Sequence, residues 1–309
     1  MKKIESISTK KINPHVVGII LVITDSFFFS MMSMFVRLSG DVPTMQKAFF
    51  RNAVALVIAV ITLIRSGEGF RMKKGSLPFL IARSFFGGTG MILNFWAIDR
   101  IGLADANILN KMSPFFAIIF SIFILSEFPD AVEIVTVIIA FIGAAFVVKP
   151  SAGLASLPAF AGLLGGLGAG IAYVFVRKLG KRGERGTLIV AFFSAFTCLL
   201  CLPFMLINFH PMTIAQTLCL IGAGSAAAIA QFAVTAAYKY APAKEISVFD
   251  YSQVLFASIW GILLFDEIPD RMSLIGYVII ITVAVIKWYY NMHQDKKEKR
   301  GHENAADKK

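Results

Sequence analysis

The chain contains an internal repeat with an offset of 140 residues, and this repeat limits the possible folds more than any single residue does. The sequence Phe-Val-Arg at 35–37 returns at 175–177, and Glu-x-Pro-Asp at 127–130 returns at 267–270. One constant offset therefore relates both the beginning and the end of the unit. The two copies fill nearly the whole chain, so we expect two structurally equivalent halves.

The composition indicates that most of the chain lies in a lipid bilayer. Of the 309 residues, 57% are hydrophobic and only 16% are charged, and the mean hydropathy is +0.73. Soluble domains carry about 25% charged residues. The three cysteines lie in apolar runs, and we interpret them as packing residues. We expect no metal site, no cofactor and no catalytic residue.

Ten segments are long and apolar enough to cross a bilayer, for which about 20 residues are needed. Each copy of the repeat holds five of them, and an odd number inverts the second copy in the membrane. We therefore predict an all-α membrane protein with ten transmembrane helices in two inverted five-helix repeats. The segments are 16–36, 44–64, 77–98, 105–125, 131–149, 157–177, 187–207, 213–238, 245–265 and 271–290. The predicted domains are an N-terminal tail (1–15), the first repeat (16–150), the second repeat (151–290) and a disordered basic tail (291–309).

The basic residues indicate how the chain is oriented. With both termini in the cytoplasm, the inner segments hold 21 of the 30 Lys and Arg residues and the outer segments hold five. Cytoplasmic loops of membrane proteins carry such an excess. The net charge of +11 is therefore typical of loops and tails at the membrane surface. We expect the lipid bilayer as a partner and no nucleic acid.

Each half closes with a similar pair of segments. The segment 104–127 contains Pro114 and ends in Glu, and the segment 237–267 ends in the same way. Over about residues 16–288, these features resemble the EamA-like branch of the drug/metabolite transporter superfamily. The resemblance implies a multi-pass secondary transporter of the inner membrane. Val254 stands where the repeat would place a second proline, so a helix break is expected in the first half alone.

Five charged side chains within the predicted spans are candidates for a site, because each costs about 2.5–3.5 kcal/mol to insert. They are Asp25, Arg51, Arg83, Lys111 and Asp250. We expect a polar central cavity that holds the carboxylate of an amphoteric or anionic metabolite. One alternative is that these groups pair with each other. Another is that the two arginines, which lie near span ends, extend to the membrane surface.

The repeat places polar residues at matching positions in the fourth and ninth spans. Asn107, Asn110 and Lys111 share one helix face, and Asp250 pairs with Gln253 in the same way. In an inverted pair these positions approach the centre from opposite sides, so we predict that all five bind substrate. Interhelical hydrogen bonds that hold the bundle together are the alternative.

Aromatic side chains near these groups are predicted to form walls of the substrate cavity. The candidates are Trp96, Tyr173 and Trp260. The sixth span carries glycines at 162, 166 and 170, a spacing that lets two helices approach closely.

Together these patterns favour a secondary transporter that exports or exchanges an amino acid or a similar organic solute by alternating access. Uptake of a cofactor-like metabolite such as S-adenosylmethionine stays open, as do a membrane-embedded lipid enzyme and a passive channel. Proton coupling would require a titratable group in the cavity, for which Asp25 or Asp250 would serve. A monomer and a homodimer both fit the sequence.

Overall fold

The structure is a computed structural model that describes residues 14–67, 69–126, 128–148, 157–240 and 247–306. Within these ranges the regular secondary structure is entirely helical. A short 3-10 helix, Ser247–Tyr251, precedes α10. The helices are α1 (Pro14–Leu38), α2 (Thr44–Arg65), α3 (Leu77–Ile101), α4 (Leu103–Asn110), α5 (Ser113–Leu125), α6 (Ala131–Val148), α7 (Leu157–Lys181), α8 (Gly186–Ile207), α9 (Ile214–Tyr240), α10 (Ser252–Phe265) and α11 (Arg271–Ala306).

Eight helical segments in the described part of the chain are long and apolar enough to cross a membrane. One of them, Leu103–Leu125, comprises α4 and α5 together. A ninth apolar segment, Phe249–Phe265, is shorter. The remaining long helix, α3, is less apolar because it includes Arg83 and Asn94. The chain is therefore a multi-pass membrane protein.

The helices pack in pairs that join the two predicted halves. Helix α3 of the first half packs along α7 of the second, and α1 packs along α9 in the corresponding way. Likewise, α5 contacts α7 as α10 contacts α1. The pairs α2 with α8 and α6 with α11 each join corresponding helices of the two halves. Exchanging the halves thus exchanges or preserves each of these six pairs.

The short helix α4 lies at the centre of the bundle. Its residues Ile108 and Leu109 belong to a buried apolar cluster with α6 and α11. Its residues Leu103 and Ala106 belong to a second cluster with α1, α2, α3 and α9. Because α4 is buried on two faces, side chains at its end point into the protein and not into lipid.

Both central segments depart from a regular α-helix, at matching positions. The first is interrupted at Lys111 and Met112, between α4 and α5. In the second half the 3-10 helix gives way to α10 at Tyr251 and Ser252, 140 residues later. The described part of the second half therefore shows a change of helix type, and an interruption between two α-helices is seen in the first half, as expected. Pro114 lies in the first turn of α5, where its missing N–H has no partner to lose, and it cannot donate to the carbonyl oxygen of Asn110 at the end of α4.

The last helix continues beyond the predicted final span. α11 runs from Arg271 to Ala306, whereas the sequence predicts a disordered tail from residue 291. Residues 291–306 include three Lys, two Glu, two Ala and one Arg. These residues favour helix even without apolar burial, which explains the difference.

The glycines of α7 allow direct contact between backbones. A Cβ atom at Gly166 would lie 2.5 Å from the carbonyl oxygen of Leu109, and one at Gly170 would lie 2.7 Å from that of Ser113. Gly165 is similarly close to the carbonyl oxygen of Gly90 on α3. The close helix approach predicted from the glycine spacing is therefore present.

Replacing Gly166 with Ala is expected to lower the free energy of unfolding by about 1–3 kcal/mol, because the new methyl group meets rigid backbone. Gly180, also in α7, provides a matched control because a Cβ atom there meets nothing within 4 Å. Gly180→Ala should leave the melting temperature of the detergent-purified protein unchanged or slightly raised. Equal melting temperatures for the two variants would contradict the packing described here.

Candidate functional site

An ion pair joins the two central segments. Lys111 follows the end of α4, and Asp250 lies in the 3-10 helix; Lys111 Nζ is 2.7 Å from Asp250 Oδ2. The hydroxyl of Tyr251 donates a hydrogen bond to the carbonyl oxygen of Lys111 at 3.1 Å. The Lys111 side chain is 10% exposed and that of Asp250 is 28% exposed, so the pair is enclosed but reachable by solvent.

A second carboxyl group lies near this ion pair. Asp25 of α1 is 1% exposed and lies within electrostatic range of Asp250 and Lys111, and its Oδ1 atom has no hydrogen-bond partner in the described part of the chain. Ser26 Oγ donates to Asp250 Oδ1 at 3.2 Å. One lysine neutralises only one of the two carboxylates, so the second is costly to bury in its ionised form. Lys111, Asp250 and Asp25 are called the central cluster below.

The predicted amide residues tie the halves together beside this cluster. Gln253 Nε2 donates to Asn107 Oδ1, and Ser33 Oγ donates to the same oxygen at 3.4 Å. Asn107 Nδ2 donates to the carbonyl oxygen of Leu103 at 2.7 Å. Asn107 and Gln253 are therefore hydrogen-bonded to each other. This is the arrangement expected if these amides hold the bundle together. Asn110, the last residue of α4, is half-buried, and its backbone packs against α7.

The aromatic candidates separate into two groups. Tyr173 of α7 is 56% exposed and lies close enough to all three members of the central cluster to interact with them electrostatically. Trp260 Nε1 donates to Ser30 Oγ at 3.2 Å, beside α1. Trp96 lies elsewhere: Arg100 stacks on its ring at 4.2 Å, and it lines an apolar groove with Phe160 and Phe204. The structure does not bring Trp96 to the cluster.

The two intramembrane arginines do not extend to the membrane surface. Arg51 is 7% exposed and Arg83 is 8% exposed. Arg83 stacks over the ring of Phe193 at 3.8 Å, and Arg51 Nη1 donates to Asn52 Oδ1 at 2.9 Å. The idea that they snorkel was therefore wrong, because packing of α2, α3 and α8 encloses them. Lys111 and Asp250 pair with each other, whereas the arginines contact Phe193 and Asn52.

Ion pairs close the end of the bundle at which α1 ends and α2 begins. Arg37 Nη2 lies 2.7 Å from Glu267 Oε1, and the amide of Leu103 donates to Glu267 Oε2 at 2.9 Å. Lys47 Nζ contacts both carboxylate oxygens of Asp99 at 2.8 Å. The sequence repeat had already marked both residues of the first pair, because Arg37 and Glu267 each have a counterpart at the 140-residue offset. The repeat-related residue Glu127 lies outside the described residues.

The opposite end is connected by loop contacts. The carboxylate of Glu184 accepts a hydrogen bond from the backbone amide of Lys73 at 3.0 Å, and Arg182 Nη1 donates to the carbonyl oxygen of Gly75 at 3.0 Å. Partial burial alone would raise the pKa of Glu184, but its hydrogen bonds to backbone amides lower it overall. Glu184 thus stays ionised and joins the loop after α2 to the loop after α7.

Replacing Lys47 with Met is expected to lower the free energy of unfolding by about 3 kcal/mol, because it leaves the Asp99 carboxylate without its partner in a mostly buried position. The double variant Lys47→Met/Asp99→Leu removes both charges and should recover most of the loss. Thermal denaturation of the purified protein measures both. A double variant that is as unstable as the single one would show that packing, and not the ion pair, matters here.

Comparison with known proteins agrees with this architecture. The chain is 33% identical over 272 residues to the pseudopaline exporter CntI of Pseudomonas aeruginosa, covering 87% of this chain and 94% of the relative. It is 29% identical over 260 residues to the riboflavin transporter of Vibrio cholerae, covering 79% and 83%. Solute carrier family 35 member G1 of Homo sapiens is 25% identical over 293 residues, covering 88% of this chain and 80% of the relative.

A solved crystal structure shares the fold, with a TM-score of 0.65 at 14% identity over 88% of this chain and 97% of that chain. The sequence model of the EamA-like transporter family matches twice, over residues 16–149 and again over residues 156–288. These matches account for nearly all of the helical region. The chain belongs to the EamA-like transporter family.

Proposed function

We propose that the protein is a secondary transporter that moves a small amphoteric organic solute across the inner membrane by alternating access, most simply in the direction of export. The observation that carries this proposal is the central cluster. Its ion pair joins Lys111, at the interruption between α4 and α5, to Asp250 in the 3-10 helix before α10. Transporter substrates bind near such interrupted helices, because a break frees polar groups toward a cavity.

Inverted repeats are the structural basis of this mechanism. The family model matches the two halves separately, the second match beginning 140 residues after the first. The six helix pairs described above are exchanged or preserved when the halves are exchanged. Helices α5 and α10 also end in the same way, because each is followed by a residue in the left-handed conformation, Ser126 and Asp266. These features support ten spans in two inverted five-helix repeats, with both termini in the cytoplasm.

The substrate class follows from the charges that line the centre. Lys111 attracts a carboxylate, whereas Asp25 and Asp250 attract an amine, and a solute with both groups matches both signs. The relative that is named a pseudopaline exporter supports export. The relative named a riboflavin transporter supports the second candidate, a carrier for a cofactor-like metabolite.

Proton coupling is the proposed energy source. With one lysine beside two carboxyl groups, a proton on Asp25 or Asp250 would balance the charge of the cluster, and substrate binding would displace it. A cationic amine that approaches Asp250 competes with both Lys111 and this proton. Proton movement and solute movement then use the same group.

The ion pair Arg37–Glu267 is the proposed gate at the predicted outer side. It joins the end of α1 to the turn after α10, and Glu267 also holds the amide of Leu103 at the start of α4. These contacts must separate before a solute leaves the central cluster on that side. Alternating access requires such a closure on one side at a time.

The proposal is tested in two steps. Pseudopaline, riboflavin, S-adenosylmethionine and the common amino acids are first screened for their effect on the melting temperature, since a ligand of the folded state raises it. Each hit is then assayed as a radiolabelled solute in proteoliposomes. Saturable uptake that is accelerated by unlabelled solute on the far side supports a transporter. Flux that rises linearly with concentration and shows no counterflow would instead indicate a channel.

A further inference from the structure

Arg51 and Arg83 form a buried pair of cations with unused hydrogen-bond donors. Each side chain is more than nine-tenths buried. Arg51 Nε and the Nε and Nη1 atoms of Arg83 have no hydrogen-bond partner in the described part of the chain. Arg51 and Arg83 are close enough for their like charges to repel, and Tyr173 also lies within electrostatic range of Arg83. No described carboxylate neutralises them.

Such an arrangement is costly for a protein. An unpaired buried charge destabilises the folded state, and a buried donor without an acceptor adds to the cost. Two like charges side by side increase it further. Stability therefore does not explain the pair, whereas an anionic ligand that arrives between them does.

A cavity lies at this position. Arg51 lines it together with the polar side chains of Thr187, Ser194 and Gln231. Phe193, on whose ring Arg83 stacks, lines it as well. The cavity runs between α2, α8 and α9 toward the end of the bundle where α8 begins, and its volume is about 40 Å³. It has room for a few waters or one small polar group, not for a whole metabolite. Arg51 lines this cavity directly, whereas Arg83 adjoins it through the ring of Phe193.

We propose that Arg51 and Arg83 form an anion subsite that binds a carboxylate, or a similar oxyanion, of the transported solute. The inference rests on the proposed function and specifies its substrate: the solute carries an anionic group separate from the group that meets the central cluster. Guanidinium groups suit this role because their planar donors match both oxygens of a carboxylate.

Tyr173 connects the two sites. It is 56% exposed and interacts electrostatically both with Arg83 and with the central cluster. A solute that lies across this ring places its amine toward Asp250 and its carboxylate toward the arginines. The arrangement therefore selects an extended zwitterion or a polycarboxylate amine over a simple cation.

A lipid headgroup has the same oxyanion chemistry, but the observations favour a solute. The arginines are enclosed by three helices, and the cavity wall around Arg51 carries hydroxyl and amide groups. A lipid would need an apolar path for its acyl chains beside its phosphate. The test below distinguishes the two sources.

The experiment measures melting temperature for the full-length purified protein with citrate, glutamate and inorganic phosphate, each at constant ionic strength set with chloride. Glutamine is the control for glutamate, because it differs only in replacing the side-chain carboxylate by an amide. The variants are Arg51→Gln and Arg83→Gln. Arg65→Gln and Arg100→Gln are matched controls on the same two helices, at exposed positions.

Wild type and both control variants are expected to melt at least 2 °C higher with citrate or glutamate at 100 times the dissociation constant, a shift of about 2–4 °C per kcal/mol for a chain of this size. Glutamine should have no such effect. Arg51→Gln and Arg83→Gln should lose the shift, with a dissociation constant raised at least tenfold. Without ligand their melting temperatures should equal or exceed that of wild type, since a purely structural arginine would leave them lower.

The inference is overturned if the melting temperature of wild type does not rise with any of the anions, or if glutamine raises it as much as glutamate does. It is also overturned if both arginine variants keep the rise. Finally, a rise caused in nanodiscs by phosphatidylglycerol but by none of the solutes would assign the site to a lipid. The variant Asp250→Asn separates this inference from the proposed function. It should bind the anion but not transport. If Asp250→Asn transports normally, the central cluster is not the substrate site. If wild type shows the arginine-dependent shift but no solute counterflow in proteoliposomes, the anion subsite stands and the proposed function fails.

Discussion

Replacing Asp250 with Asn is expected to reduce solute transport at least about 30-fold. Asp250 pairs with Lys111 at 2.7 Å and accepts a hydrogen bond from Ser26. Truncating one partner of a buried, hydrogen-bonded charge pair costs about 2–5 kcal/mol, and each 1.4 kcal/mol is a factor of about ten. The initial rate of solute counterflow in proteoliposomes, normalised to protein content, measures the loss.

This variant also leaves the charge of Lys111 unpaired, so its stability must be measured separately. The double variant Lys111→Met/Asp250→Asn removes both charges and is expected to melt within a few degrees of wild type while remaining inactive. If the double variant regained transport, the ion pair would be a structural support and not part of the substrate site. Asp41→Asn, in the exposed turn between α1 and α2, is the control for an aspartate outside the cluster.

Replacing Asp25 with Asn is expected to separate transport from the proton gradient. The amide of Asn has nearly the size and shape of a protonated carboxyl group and can still donate a hydrogen bond, but it cannot release a proton. We therefore expect exchange of labelled for unlabelled solute to stay within about threefold of wild type, since one neutral hydrogen bond contributes about 0.5–1.5 kcal/mol. Accumulation driven by an imposed pH gradient should fall at least tenfold.

Both rates are measured in the same proteoliposomes, with a pH gradient of one unit imposed and then removed by an ionophore. Wild type and Asp41→Asn should accumulate solute only while the gradient is present. If Asp25→Asn accumulates solute as wild type does, the proton is carried elsewhere. If wild type accumulates no more solute with the pH gradient than without it, the protein is an exchanger, and Asp25 has a structural role.

Class and family could be read from the chain because their signals are local. A run of about 20 apolar residues identifies a span wherever it packs, and the positions of basic residues relative to the spans predict orientation. The repeat at offset 140 predicted the equivalence of the two halves. The charges at Asp25, Lys111 and Asp250 stood out because charges are costly in lipid.

Where secondary structure departed from expectation, the cause lies in contacts between distant segments. The second half has no proline at the matching position, so the local sequence did not predict the change from 3-10 helix to α-helix at Tyr251. The hydroxyl of Tyr251 bonds the carbonyl oxygen of Lys111, 140 residues away. Apolar periodicity did not predict α11 beyond residue 290, where helix propensity alone continues the helix.

The sequence by itself determined a membrane protein of repeated halves, its family and the set of charged residues that must avoid lipid. Only the tertiary structure decided how those charges are grouped. Packing joins Lys111 to Asp250, near Asp25, whereas Arg51 and Arg83 contact Asn52 and Phe193 instead. Packing also removes Trp96 from the site. The physical reason is that burial makes each charge costly at its own position, whereas the partner that offsets the cost is set by which helices pack together.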